Sequence, residues 1–189
     1  MKFRGLYAAG AAAALLVMPA RAAITVLGDS LAHNCFEAAE FGGSPREGIA
    51  TCTDALEGTA LTIKDRAATL INRGILKSHN DDADGALGDY NRGLTLDGDL
   101  GEGYVDRGAT FIVLRRYDDA LTDINKGIAL GAKRLEIAYY DRAIVDEALG
   151  DVRGAYQDYK KAVEIEPNFP LATEQLARFK VVRKSSGGA

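Results

Sequence analysis

From Asn72 onward the apolar, small and polar residues of the chain fall on a fixed grid. Asn72-Arg73-Gly74 returns as Asp106-Arg107-Gly108 and again as Asp141-Arg142-Ala143, at offsets of 34 and 35 residues. Twelve positions after each small residue stands an alanine, Ala86, Ala120 or Ala155. Tyr90, Ile124 and Tyr159 follow four positions later, and Gly93, Gly127 and Ala162 three beyond those. Leu94, Ile128 and Val163 come next. The spacing i, i+4, i+7, i+8 puts each set on one face of a helix. Turn signals separate the helical stretches: Asn80-Asp81-Asp82, Asp97-Gly98-Asp99, Gly150-Asp151 and Pro167-Asn168. The pattern predicts helical hairpins whose two helices cross at Gly74, Ala86, Gly93, Gly108, Ala120, Gly127, Ala143, Ala155 and Ala162. Residues this small let two backbones approach, so that larger neighbours interdigitate. One such hairpin cannot bury its own apolar face, so the copies are expected to stack.

These columns resemble the tetratricopeptide repeat. Gly74, Gly108 and Ala143 match that family's small residue near the middle of the first helix. Ala86, Ala120 and Ala155 match its alanine in the second helix, and Gly93, Gly127 and Ala162 its later small position. The family's aromatic near the start of the first helix is present as Tyr104 and Tyr139 but is Leu70 in the first full copy, and its closing proline appears as Pro167. Where the family usually has leucine, this chain has Arg73, Arg107 and Arg142. The resemblance covers about residues 66 to 168. It implies an all-α, right-handed α-solenoid of antiparallel hairpins, with repeats at 66–99, 100–134 and 135–168. A capping helix is expected over 169–184 and a frayed tail over 185–189. It also implies a concave groove that binds a segment of another protein. The family register puts Ile71, Asn72, Ile75, Val105, Asp106, Ala109, Tyr140, Asp141 and Ile144 on that inner face. Members that clamp a partner's terminal carboxylate need Lys, Arg and Asn there, and this chain supplies only Asn72. Its polar-to-acidic column, Asn72, Asp106 and Asp141, suits a neutral or basic partner segment.

Upstream, Gly48 to Leu56 echoes Ala86 to Leu94, with Cys52 in the slot of Tyr90, and a partner helix runs from Leu31 to Phe41. A degenerate hairpin is therefore expected within 24–60. Before it, Lys2 and Arg4 precede an apolar run from Ala8 to Val17 that ends in Ala20-Arg21-Ala22. A basic start, a short apolar core and a small-x-small end read as a secretory signal over 1–23, cleaved after Ala22 or Ala23. The chain is then expected in the periplasm or outside the cell, with no membrane span after cleavage. Export changes the reading of Cys35 and Cys52, the chain's two cysteines. Their spacing fits neither a redox pair nor a zinc site, and an oxidising compartment favours a disulfide. Closing that loop stabilises by roughly 3 kcal/mol in the chain-entropy model.

The whole chain has 23 Lys+Arg against 27 Asp+Glu, a formal charge of −4. Loss of Lys2, Arg4 and Arg21 with the leader would make it more acidic, so composition gives a nucleic-acid binder no support. Three features bear on chemistry. The pairs Arg73 and Asp89, Arg107 and Asp123, and Arg142 and Asp158 are each 16 residues apart. They are expected as ion pairs across each hairpin, with the arginine stems buried. Gly28-Asp29-Ser30-Leu31 spells the nucleophile block of the GDSL hydrolases, but that family's downstream Asp-x-x-His is missing; Asp29 or Ser30 is expected to cap the first helix. Asn80 to Gly85 resembles the start of a calcium loop, yet Asn91 stands where a bidentate Glu is needed, so Asp82 or Asp84 is expected as a helix cap instead. No cofactor or metal and no enzyme activity is expected. The alternatives are a Ser30 hydrolase and a structural subunit of an envelope complex.

Overall fold

The computed structural model describes residues 23–26, 30–58 and 60–179. The expected signal over 1–23, Ala23 excepted, and the expected tail over 185–189 lie outside the described residues. Among those described there are nine helices and no strand. They are α1 (Ser30–Phe41), α2 (Pro45–Gly58), α3 (Ile63–His79), α4 (Ala83–Leu96), α5 (Gly101–Val113), α6 (Tyr117–Ala129), α7 (Leu135–Leu149), α8 (Val152–Ile165) and α9 (Pro170–Leu176). The chain divides into two compact units, with the boundary between Arg134 and Leu135. The first holds three hairpins, α1–α2, α3–α4 and α5–α6; the second holds α7–α8 followed by α9.

The α3–α4, α5–α6 and α7–α8 hairpins turn in the same way. Asp82 N–H reaches back to Lys77 O, Arg116 N–H to Phe111 O and Asp151 N–H to Asp146 O, at 2.8–2.9 Å. This six-to-one closure needs one left-handed residue, here Asp81 (φ 59°), Arg115 (φ 57°) and Gly150 (φ 86°). Asp82 and Asp151 then accept from the N–H of Gly85 and Gly154, capping α4 and α8. The calcium-like stretch Asn80–Gly85 is thus spent on a helix–helix turn.

The crossings are set by the small residues. A Cβ built on Gly74 would stand 2.7 Å from the Tyr90 ring, and one on Gly108 2.7 Å from Ile124 Cγ1. Gly93 faces Ile71, and Gly127 faces both Val105 and the Gly101 carbonyl. Ala86, Ala120, Ala143, Ala155 and Ala162 are fully buried. In α2 the buried positions Gly48, Cys52, Ala55 and Leu56 keep the same i, i+4, i+7, i+8 grid. A disulfide joins Cys35 of α1 to Cys52 of α2.

The capping helix is shorter than the sequence suggests. α9 ends at Leu176, after which Arg178 and Phe179 N–H groups close back on Gln175 and Leu176. The turn swings the Phe179 ring onto Tyr156 and Tyr159, with centroids 5.7 and 5.9 Å away. Arg178 pairs with Glu147 of α7 at 2.9 Å. An uninterrupted helix would carry Phe179 off this surface, so aromatic burial ends it.

The arginine–aspartate pairs are bidentate. Arg73 Nε and Nη2 donate to Asp89 at 2.7 and 2.8 Å. Arg107 donates to Asp123 at 2.6 and 2.8 Å, and Arg142 to Asp158 at 2.6 and 2.9 Å. Burial by itself would raise the Asp89 carboxyl, but its bonds to Arg73 and Lys77 outweigh this and hold it below the usual range. In the first unit the remaining Nη1 reaches the preceding hairpin: Arg73 donates to Thr53 of α2 at 3.0 Å and Arg107 to Asn91 of α4 at 2.7 Å. The guanidinium groups of Arg107 and Arg142 also lie over Tyr104 and Tyr139. Arginine thus takes the leucine slot by packing its stem and face while its fork stitches helices.

Three mutational outcomes follow from this packing. Gly127→Ala forces its methyl against the Gly101 backbone and is expected to cost about 2 kcal/mol in denaturant unfolding. Gly88→Ala, on the exposed side of α4 with nothing within 4 Å, is expected to gain about 0.5–1 kcal/mol. Arg107→Leu strands a buried Asp123 and is expected to cost about 3 kcal/mol, most of it recovered in the Arg107→Leu, Asp123→Leu double variant. Melting temperatures of both variants equal to that of the unsubstituted chain would show the pair to be dispensable.

Candidate functional site

The inner-face residues named from the register are not a bare groove. Ile71, Asn72, Ile75, Val105, Asp106 and Ala109 in the first unit, and Tyr140, Asp141 and Ile144 in the second, are each 5% exposed or less. Three of them belong to the packing. Ile71 Cδ1 fills the space over Gly93 and Gly103, and Val105 fills that over Gly127. Tyr140 sits 5.6 Å from Tyr159 and edge-on to Phe169 at 5.3 Å. The reason is steric: a helix that approaches its partner at a glycine must fill the flanks with the side chains beside that contact.

Asn72 does something different. Its carboxamide sits on the fully buried face of α3, and its Oδ1 accepts from Ile24 N–H at 2.8 Å while its Nδ2 donates to Ile24 O at 2.9 Å. One side chain thus satisfies both polar groups of an extended residue, as a neighbouring β-strand would. The rest of the segment is anchored on both sides. Ala23 joins the cluster of Cys35, Ala39, Cys52, Ile71 and Ile75, and Val26 joins Ala32, Ala55 and Ala68. Thr25 between them is exposed, and Ala23 N–H lies 3.2 Å from Glu40 Oε2 of α1. Helices α1 and α3 therefore hold the non-helical stretch Ala23–Val26. Glu40 and this segment had no place in the sequence-derived site. The only hint was the run of β-branched residues at Ile24, Thr25 and Val26 between the leader and the first helix.

No family profile and no characterised sequence matches the chain. Solved structures do. The first TPR domain of human RPAP3 is 26% identical with TM-score 0.58, over 61% of this chain and 90% of that one. MamA aligns at TM-score 0.62 and 19% identity, over 80% of this chain and 82% of that one. YrrB, described as a TPR protein with an unusual peptide-binding site, aligns at 0.59 and 26% identity, over 66% of this chain and 62% of that one. The fold is that of the tetratricopeptide-repeat proteins.

Within the tetratricopeptide hairpins the acidic column divides. Asp141 on α7 is wholly buried, and neither carboxylate oxygen has a hydrogen-bond partner among the described residues. Desolvation pushes its pKa well above the usual range, so the neutral acid is favoured. The same burial, with Asp141 beside it, pushes the Tyr140 hydroxyl up to about 12. Asp141 accordingly brings little negative charge to the repeat, against the acidic reading of that column. Ser30 opens α1 and is exposed, while His33 Nε2 faces Glu37 at 3.5 Å. Asp29 lies outside the described residues. Among the described residues no group of three or more His, Cys, Asp or Glu side chains is placed to hold a metal.

Because the folded pKa of Asp141 is raised, its contribution to stability is lost as pH rises from the ordinary carboxyl range toward that folded value. Asp141→Asn is therefore expected to raise the melting temperature at pH 7 and to leave it unchanged near pH 3.5. A larger gain at the acidic end would contradict the assignment.

Proposed function

We propose that the chain is a non-catalytic protein-interaction module, exported to the periplasm or beyond, that holds a partner segment in its concave groove beyond the faces of α1 and α3 that Ala23–Val26 covers. The observation that carries this reading is the paired hydrogen bond between Asn72 and the main chain of Ile24. The contact is intramolecular, and it supports the reading because an inner-face carboxamide there meets both main-chain polar groups of Ile24. Similar domains are described with peptides: the first repeat domain of Spaghetti (RPAP3) with the HSP90 peptide SRMEEVD, and the second domain of human RPAP3 with an HSP70 peptide. Those peptides end in acidic residues. In the first unit the inner column offers Asn72 and Asp106, with no lysine or arginine, so a neutral or basic segment suits it better. Export is supported by the leader pattern and by the Cys35–Cys52 disulfide, which persists in oxidising compartments.

Val113 continues the α5 stripe of Asp106 and Ala109 by one turn and is 60% exposed. A photo-reactive residue placed there in the exported protein is expected to cross-link to a peptide of another protein. The same group at Ile63, exposed at the start of α3, is expected not to. Equal labelling from both positions, or none from Val113, would refute the groove reading. Esterase turnover abolished by Ser30→Ala would replace it with the hydrolase.

A further inference from the structure

We infer that Glu40 and Asn72 form a receptor for the chain's own processed N-terminus, and that cleavage between Ala22 and Ala23 completes the first unit. This rests on the export reading above.

Four observations place the new terminus at Ala23. Its nitrogen lies 3.2 Å from Glu40 Oε2, within reach of an ion pair once it becomes an ammonium. Ala23 itself is 5% exposed, packed in the core cluster with the disulfide and with Ile71 and Ile75. The next residue is pinned through both its N–H and its C=O by Asn72. Two residues further on, Val26 is 1% exposed, so side chains on both flanks of the Asn72 contact are buried. Cleavage one residue later, after Ala23, would remove both the nitrogen that faces Glu40 and the methyl that fills the cluster.

The chemistry is hydrolysis by a leader peptidase. Water adds across the Ala22–Ala23 amide and the C–N bond breaks. Ala22 leaves with the carboxylate, and Ala23 keeps the amine, which takes up a proton at neutral pH. The N–H···O contact thereby gains a cationic donor and becomes an ion pair. The α3 face against the segment is uncharged, presenting Ile71, Asn72 and Ile75. Glu40 on α1 is the acid in contact with that nitrogen. Because Ala23 is buried in the folded unit, the cut must precede folding, as it does for a leader removed during translocation. Folding then seals the terminus.

The test compares four purified chains ending at Ala189: one starting at Ala23, one starting at Ala22, and the Glu40→Gln form of each. The Ala23 chain is expected to melt about 2–4 °C above the Ala22 chain, and the difference is expected to vanish in the Glu40→Gln pair. An equal gap in both pairs, or no gap in the first, overturns the ion pair. Intact-mass analysis of the protein recovered from an exporting host provides the independent arm. A first residue of Ala23 is expected. A start at Ile24 or another internal residue refutes this inference alone, whereas a start at Met1 refutes the cleaved leader on which it rests.

Discussion

Two helices can run against each other closely only where one gives up its side chain. In this protein that concession recurs at Gly74, Gly93, Gly108 and Gly127, each with a large side chain of the facing helix in the space a Cβ would fill. Everything else is arranged around those contacts. The turns must bring the second helix back at a fixed phase, so Asp81, Arg115 and Gly150 all accept left-handed backbone. The residues beside each crossing must be bulky enough to close its flanks, which is why Ile71, Val105 and Tyr140 are buried rather than offered to a ligand.

The arginine in the leucine slot solves a second problem. A purely apolar repeat would stack by shape alone, and neighbouring hairpins could slide. The guanidinium fork fixes the angle within each hairpin through Asp89, Asp123 or Asp158, and in the first unit its third donor reaches Thr53 or Asn91 of the hairpin before. The arrangement is directional, because a planar five-donor group satisfies a carboxylate and a neighbour at once in only one geometry. Its value lies more in register than in raw stability, since buried ion pairs regain little beyond their own desolvation.

The inner face inherits its character from what this framework leaves over. Position by position the helix must pack, and Asn72 is the clear case of an inner-face side chain that meets main chain instead, that of Ile24. A carboxamide there carries a donor and an acceptor at strand spacing, which matches any extended residue. In the structure that residue is Ile24, and the segment is held at Ala23 by Glu40 and at Val26 by apolar contact. The first hairpin, with its disulfide, is thereby packed against chain that precedes it.

The sequence alone determined the helical hairpins, their register and their crossings, because periodicity and small-residue spacing are local properties that survive without coordinates. It also made the Arg–Asp pairing legible, since a constant separation of 16 across one turn puts two residues opposite each other. The degenerate hairpin was readable from four buried positions of α2 for the same reason. What only the tertiary structure decided was which side chains remain available and what they touch. Burial of Asp141 turns an apparent surface charge into a neutral-leaning acid, aromatic packing of Phe179 cuts the last helix at Leu176, and Asn72 is seen to bind backbone 48 residues away. These depend on contacts between distant parts of the chain, and a one-dimensional pattern carries no record of which distant surfaces will meet.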